Sequence, residues 1–259
     1  MKKNFASILI TNFNKSYYLK KMVNSCLNQT FKKKEILIYD DCSSDDSIKI
    51  LDKFKKKIKI IRNKKKRFKN GPLNQINGII ELIHRSQGEI IFFLDSDDFF
   101  KKKKLEKLIQ IFKENKKLNF IQDTPFLSNQ KKKMFIKRKK HLFSIWPGFY
   151  PTSSICVRRK FLVNFLKFIE REKYPHLEID ARLSMFAYLK NQFLIINNSL
   201  TVYNYDSAGI TSNYKKYSIL WWKKRNEAFM YLKFLHKRLK ISFFYGIDFV
   251  LTKLINFFI

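Results

Sequence analysis

The chain has 259 residues, 45% hydrophobic and 16% aromatic, so it carries enough apolar side chain for a sizeable core and is neither disordered nor fibrous. Its three cysteines, Cys26, Cys42 and Cys156, lack CxxC spacing; this argues against a disulfide framework or a zinc cluster and for free thiols in a reducing compartment. A balance of 54 basic to 21 acidic residues gives a net charge of +33. That charge either reflects a lysine-rich composition or marks attraction to a polyanion, whether nucleic acid or an anionic membrane leaflet.

The residues from Met1 to Ile10 look superficially like a signal peptide, but Thr11, Asn12 and Asn14 cut the apolar run short. Ala6 to Thr11 is therefore expected as a buried first strand, followed by a helix over Tyr18 to Leu27 and a strand over Glu35 to Tyr39. Asp45 to Phe54 has helical spacing after Ser43-Ser44, Ile58 to Ile61 is strand-like, Leu73 to Ile83 is helical, and Ile90 to Leu94 is an almost wholly apolar central strand. This alternation is the pattern of βαβ units on a parallel sheet. Beyond about residue 115 the pattern loosens into an irregular basic stretch from Asn129 to His141 and a turn-rich Trp146 to Thr152. A strand at Ser154 to Val157, helices near Phe161 to Ile169 and Ile179 to Leu189, and short strands at Phe193 to Ile196 and Leu200 to Tyr203 follow. The chain closes with a basic-aromatic helix over Tyr217 to Leu239 and an apolar tail from Ser242, broken by Asp248, Lys253 and Asn256. The tail reads as a segment lying at a membrane surface or as a helix completing the core or a dimer, not as a span.

The lysine runs Lys32 to Lys34, Lys64 to Arg67, Lys101 to Lys104, Lys131 to Lys133 and Arg138 to Lys140 are spread along the chain. Spread charge suits adhesion to a surface better than readout of bases. Asp95-Ser96-Asp97-Asp98 follows the central strand, and carboxylates converging at a sheet edge repel one another unless a cation is present. Asp95 and Asp97 thus suit Mg²⁺ or Mn²⁺, which takes one or two carboxylates plus phosphate oxygens. Asp98 alone reads as the cap of a helix starting near Phe99. Asp40-Asp41 ends an earlier strand and suits either hydrogen bonding to a base or ribose or a simple turn.

Four segments in order, Ser7 to Asn14, Ser25 to Thr30, Glu35 to Ser43 and Gly88 to Asp98, resemble the family 2 glycosyltransferases of the GT-A fold. The resemblance implies an α/β domain with a Rossmann-like, mostly parallel sheet and flanking helices over 1–212, with a nucleotide-sugar half at 1–115 and an acceptor half at 116–212. Residues 213–259 would form a helical, hydrophobic C-terminal extension. It implies inverting transfer from a nucleotide-diphosphate sugar, a UDP-sugar first among them, with Mn²⁺ or Mg²⁺ as cofactor. Thr11, Phe13, Asn14, Asp41, Asn77, Asp95 and Ser96 would bind the nucleotide-sugar, and Asp95 and Asp97 the metal. His176 to Leu183 resembles the family's acidic helix start, which makes Asp180 the expected general base, with Glu178 as second choice and a helix N-cap as the structural alternative for Asp180. Pro151-Thr152-Ser153 through Arg158 looks like the acceptor side.

Three departures stand out. Gly71 to Gly78 lacks a usual phosphate-side arginine, Tyr203-Asn204-Tyr205-Asp206 lacks a usual histidine, and Trp221 to Arg225 lacks the Gln-x-x-Arg-Trp order of processive synthases. The expected activity is single addition of a hexose-like sugar to a glycan or lipid-linked acceptor in bacterial surface polysaccharide or glycolipid synthesis, by a cytoplasmic enzyme at the inner face of the membrane. A metal-dependent nucleotidyltransferase is an alternative, although Ser7 to Asn14 has no glycine-rich loop. A haloacid dehalogenase-type phosphatase would carry its aspartate pair on the first strand, and a basic nucleic-acid-binding protein would rest on the charge alone.

Overall fold

The computed structural model describes residues 1–136, 143–204 and 209–259. Arg138 to His141 of the basic stretch, and Tyr205 and Asp206, lie outside the described residues. In the first half, strands β1 (Lys2–Asn12), β2 (Lys34–Asp41), β3 (Lys59–Asn63) and β4 (Gly88–Asp95) alternate with helices α1 (Ser16–Leu27), α2 (Ser47–Asp52) and α3 (Gly71–Arg85). Next come β5 (Phe99–Phe100), α4 (Lys104–Glu114), β6 (Phe120–Asp123), β7 (Phe126–Leu127) and β8 (Lys132–Lys133). A 3₁₀ turn at Thr152–Ser154 leads into β9 (Ile155–Arg158) and α5 (Arg159–Phe165). The chain continues through α6 (Ile179–Leu189), β10 (Phe193–Ile196), β11 (Thr201–Tyr203), α7 (Ile219–Leu239) and α8 (Ile247–Phe258).

Seven strands form the main sheet in the order β10-β6-β9-β4-β1-β2-β3, and four short ones form a second sheet, β5-β11-β7-β8. In the main sheet β1 pairs in parallel with β2 and β4, while β9 runs antiparallel to both β4 and β6. The near-continuous apolar runs follow from burial on both faces. Ile8 and Ile10 of β1 join Ile36, Phe92 and Leu94 in a core under α1 and α4, whereas Leu9 joins Leu37, Ile91 and Phe93 in a core under α3, α5, α6 and α7. Close approach also dictates two glycines. A Cβ on Gly78 of α3 would lie 2.6 Å from the Tyr39 ring, and one on Gly88 would lie 2.5 Å from the Ser7 backbone nitrogen.

The structure changes several expected boundaries. β2 continues through Asp40 and Asp41 instead of stopping at Tyr39, because the Asn12 side chain donates to Asp40 at 2.7 Å inside the sheet edge. The helix after Ser43-Ser44 is only six residues long, and the chain leaves it through turns at Lys53 to Lys57. Asp98 caps no helix, since Phe99–Phe100 is a strand paired with β11 and α4 begins at Lys104.

Lys104 itself overturns the reading of Lys101 to Lys104 as one solvated run: it is 0% exposed. Its Nζ meets Asp123 Oδ1 at 2.7 Å and the Ser153 carbonyl at 2.7 Å, and it donates to Thr201 Oγ1. The second oxygen of Asp123 accepts from the Leu200 and Thr201 backbone N–H groups at 2.9 and 2.7 Å. One buried pair thereby joins α4, β6, the Thr152–Ser154 turn and β11. Lys104→Met leaves Asp123 buried without its counter-charge and should cost about 3–5 kcal/mol in denaturant unfolding. Lys104→Met with Asp123→Leu should recover part of that loss; a single variant as stable as the parent would contradict the role given to the pair.

Candidate active site

Two cavities adjoin, and one of them opens at the carboxyl ends of β1, β2 and β4, where ligands bind in open parallel sheets. The smaller, about 290 Å³, has Thr11, Phe13, Asp41, Asp95, Ser96 and Asp97 on its wall. The larger, about 560 Å³, is apolar and aromatic, with Trp146, Phe149, Tyr150, Tyr214 and Trp221 beside Lys224 and Arg225. Pro151, Glu178, Asp180 and Tyr203 line both.

Eight of the ten residues singled out in the sequence therefore face one continuous recess. Asn14 and Asn77 are not among its lining residues. Asn14 has a left-handed φ of 51° and closes a turn, its Oδ1 accepting from Ser44 N at 2.8 Å. Asn77 is buried on α3, donating to the Tyr39 hydroxyl at 3.4 Å and accepting from Arg171 at 3.2 Å. The two carboxylates of Asp40-Asp41 also part company. Asp40 accepts from Ser43 N at 3.0 Å and from the Asn12 side chain, so it is the turn element, whereas Asp41 reaches the cavity and accepts from Asn63 Nδ2 at 2.9 Å.

Asp95 is fixed from two sides. Its backbone N–H donates to Ser153 Oγ at 2.9 Å, and Gln75 Nε2 donates to its Oδ1 at 2.9 Å. Desolvation, then the charges of Asp97 and Asp180, push its carboxyl up to about 8. Asp97 forms an ion pair with Lys15 at 3.3 Å. Asp98 is buried behind them, accepting from Asn204 N at 2.8 Å, and burial raises its carboxyl well above the usual range. Asn204 Nδ2 returns a bond to the Asp97 carbonyl at 2.5 Å, so β11 and the carboxylate loop hold each other.

Among the described residues, no group of three or more His, Cys, Asp and Glu gathers to cage a metal. The donor set still fits Mg²⁺ or Mn²⁺, which needs only one or two carboxylates when phosphates complete its shell. Burial, then the charges of Asp97 and Asp180, raise the Asp95 carboxyl, and a divalent cation would offset that repulsion. Three lysines stand on this wall, Lys15, Lys66 and Lys69, where the expected arginine is missing; Lys66 lies 3.4 Å from the Phe13 ring centroid.

Asp180 is the second residue of α6, not its N-cap, a position held by Glu178. Burial, then repulsion from Glu178, raises its carboxyl to about 7. Glu178 is paired with Lys224, whose Nζ also sits 4.3 Å from the Tyr214 ring centroid. The helix is anchored by Arg182, which is fully buried and donates to the carbonyls of Ile169, Glu170, Tyr174 and Leu177. Of the expected acceptor segment, Pro151 lines both cavities, Thr152 the smaller one and Ser153 sits behind Asp95, but Ile155–Arg158 is strand β9 within the sheet. The larger cavity instead draws Tyr214, Trp221, Lys224, Arg225 and Ala228 from beyond residue 212.

The sequence profile of Glycosyl transferase family 2 matches residues 7–177. The chain belongs to this family. It is 36% identical over 109 residues to an uncharacterized glycosyltransferase of Haemophilus influenzae, which is 42% of each chain. It is 28% identical over 102 residues to TarS, the poly(ribitol-phosphate) beta-N-acetylglucosaminyltransferase of Staphylococcus aureus, over 39% of this chain and 17% of that one. These matches span less than half the length of either relative. The crystal structure of TarS 1–349 with UDP superposes with a TM-score of 0.64 at 15% identity, over 88% of this chain and 65% of that one. The mannosyltransferase PcManGT of Pyrobaculum calidifontis, solved with GDP-Man and Mn²⁺, gives 0.61 at 10% identity, over 92% and 65%. The glycosyltransferase fold is therefore GT-A, an α/β architecture with a helical C-terminal region. Membership in the family also removes the support for the nucleotidyltransferase, phosphatase and nucleic-acid alternatives.

Because the folded-state value of Asp95 is raised, the stability it contributes is complete below about pH 4 and is lost as pH rises through about 8. In divalent-free buffer, Asp95→Asn should therefore gain thermal midpoint relative to the parent as pH rises across that window. Parallel midpoint curves would show that the fold does not raise the proton affinity of Asp95.

Proposed function

We propose that this chain transfers a sugar, with inversion, from a nucleotide-diphosphate donor to a hydroxyl of a glycan or lipid-linked acceptor in cell-envelope synthesis. The observation that carries the reading is the position of Asp180 on the wall common to a polar, carboxylate- and lysine-lined cavity and an aromatic one. The smaller cavity takes the donor. Asp41 accepts from a base or ribose N–H or O–H, Phe13 packs on the nucleoside, and Lys66 and Lys69 supply the positive charge a diphosphate needs. TarS, solved with UDP, makes a UDP-sugar the first donor to try. Asp95 and Asp97 would hold the divalent cation, which when bound neutralises charge collecting on the leaving diphosphate.

The larger cavity takes the acceptor, whose sugar faces stack on Trp146, Trp221 and Tyr214. The acceptor oxygen attacks the anomeric carbon from the face opposite the diphosphate, Asp180 takes its proton, and the anomeric C–O bond breaks with its electron pair left on the diphosphate. One displacement with one base inverts the centre. Asp180 suits the base better than Glu178, because Glu178 is tied to Lys224 while burial leaves Asp180 with a raised proton affinity.

Saturating UDP with Mn²⁺, at about a hundredfold excess over Kd, should add about 2.7 kcal/mol and raise the thermal midpoint by roughly 5–10 °C. Asp97→Asn should lose the metal-dependent part. The absence of a shift with any nucleotide would overturn the donor assignment. Asp180→Asn should lower kcat by about 10²–10⁴-fold while leaving the UDP shift intact. In the parent, kcat/KM should fall as pH drops through about 7, where Asp180 gains a proton and cannot accept another. A pH profile flat through that range would remove Asp180 from the role of base.

A further inference from the structure

Helix α8 is amphipathic in a way the core does not use. Asp248, Phe249 and Thr252 face inward: Asp248 Oδ2 accepts from Arg225 at 3.0 Å and Ser144 at 2.5 Å, Arg225 Nε donates to Thr252 Oγ1 at 2.8 Å, and Phe249 stacks on Phe229 at 5.5 Å. Asn256 Nδ2 donates to the Trp222 carbonyl at 3.1 Å, so α8 is pinned along the first half of α7. The opposite face carries Ile247, Val250, Leu251, Leu254 and Phe258, at the i, i+3, i+4, i+7 and i+11 positions of one helical stripe. Each of the five is between 49% and 76% exposed. An apolar stripe on a helix so firmly held is a surface, not a frayed end.

Its surroundings are cationic. Lys233 and Lys237 are exposed at i and i+4 on α7, and Lys240, the left-handed C-cap that ends the helix, is exposed just beyond them. Lys233 Nζ lies 5.2 Å from the ring of Tyr245, which stacks at 5.1 Å on Phe249, so the lysine row borders the start of α8. Tyr245 and Phe244 are themselves exposed beside it. No helix among the described residues is long and apolar enough to cross a membrane.

We propose that α8 lies in the interface of an anionic lipid bilayer, with its apolar stripe in the acyl boundary and the lysine row against the headgroups. The charge decides between occupants. A second copy would bring another chain of net charge +33 against the same lysine row, a like-charge juxtaposition that opposes pairing. An anionic surface meets both the stripe and the row. The proposal stands apart from the sugar-transfer reading, which the nucleotide midpoint tests separately.

The test is co-sedimentation of the full chain with phosphatidylglycerol-containing vesicles and with pure phosphatidylcholine vesicles, at low and high salt. The parent should partition onto the anionic vesicles and release at high salt. The triple variant Ile247→Ser, Leu251→Ser, Leu254→Ser should partition at least about tenfold less while keeping the UDP-induced midpoint shift. Lys233→Gln with Lys237→Gln and Lys240→Gln, which leaves every apolar contact in place, should lose the salt-sensitive part. Equal partition of the triple variant and the parent, or equal binding of the parent to both vesicle types, overturns the proposal. So does a lipid-free dimer in sedimentation velocity that the triple variant abolishes, which would assign the stripe to a second copy.

Discussion

The cavity-bearing end of this fold hangs on a buried ion pair. Lys104 and Asp123 are both removed from water, a state that costs several kcal/mol per ion unless every remaining valence is met. Here they are met by the Ser153 carbonyl, the Thr201 hydroxyl and two backbone N–H groups of the 200–201 strand. The same turn that gives Lys104 its carbonyl presents Ser153 Oγ to the backbone of Asp95. A charge pair in the core thus sets the height at which the strand-end carboxylates stand, and β11, held by the same pair, supplies the Asn204 contacts that brace Asp97 and Asp98.

The side with the aromatic cavity is built by a different device, cationic but without a matched carboxylate. Arg182 spends its guanidinium on five carbonyls of the 169–177 segment, close to the rings of Tyr174 and Tyr231, and so fixes the start of α6 where Glu178 and Asp180 stand. Arg225 lines the aromatic cavity and also reaches across to Asp248 and Thr252 of α8. The wall of the aromatic cavity and the helix with the exposed apolar stripe therefore share one side chain, Arg225.

Much of this was legible in the residues because burial on both sheet faces writes itself as apolar runs: β1, β2 and β4 stand where Ile-, Leu- and Phe-rich segments put them, and α6 begins and ends at Ile179 and Leu189 as its spacing predicts. The family resemblance located Asp41, Asp95, Asp97 and Asp180 on one recess because those positions are strand ends and a helix start, which sequence marks well. What stayed hidden depends on contacts distant along the chain. Nothing in Lys101 to Lys104 distinguishes the one lysine buried against Asp123, and nothing near Asp98 announces that Asn204, 106 residues on, would claim it. The cavity residues of α7, Trp221, Lys224 and Arg225, sit in a stretch that reads only as a basic-aromatic helix, since the side facing the cavity is decided by how α7 packs on α6. Asn14 and Asn77, also expected at the ligand, do not line the recess: Asn14 accepts from a backbone N–H, and Asn77 bonds to the Tyr39 and Arg171 side chains.

The central claim is that one carboxylate, Asp180, stands between a nucleotide-sugar cavity and an acceptor cavity. A crystal structure of the chain with a UDP-sugar and Mn²⁺ tests it most directly. The expected complex has uracil against Asp41 and Phe13, the diphosphate at Asp95 and Asp97, and the anomeric carbon turned towards Asp180 with the aromatic cavity open behind it. Uracil seated among Trp146, Phe149 and Trp221, or Asp180 on the diphosphate side of the sugar, would contradict it.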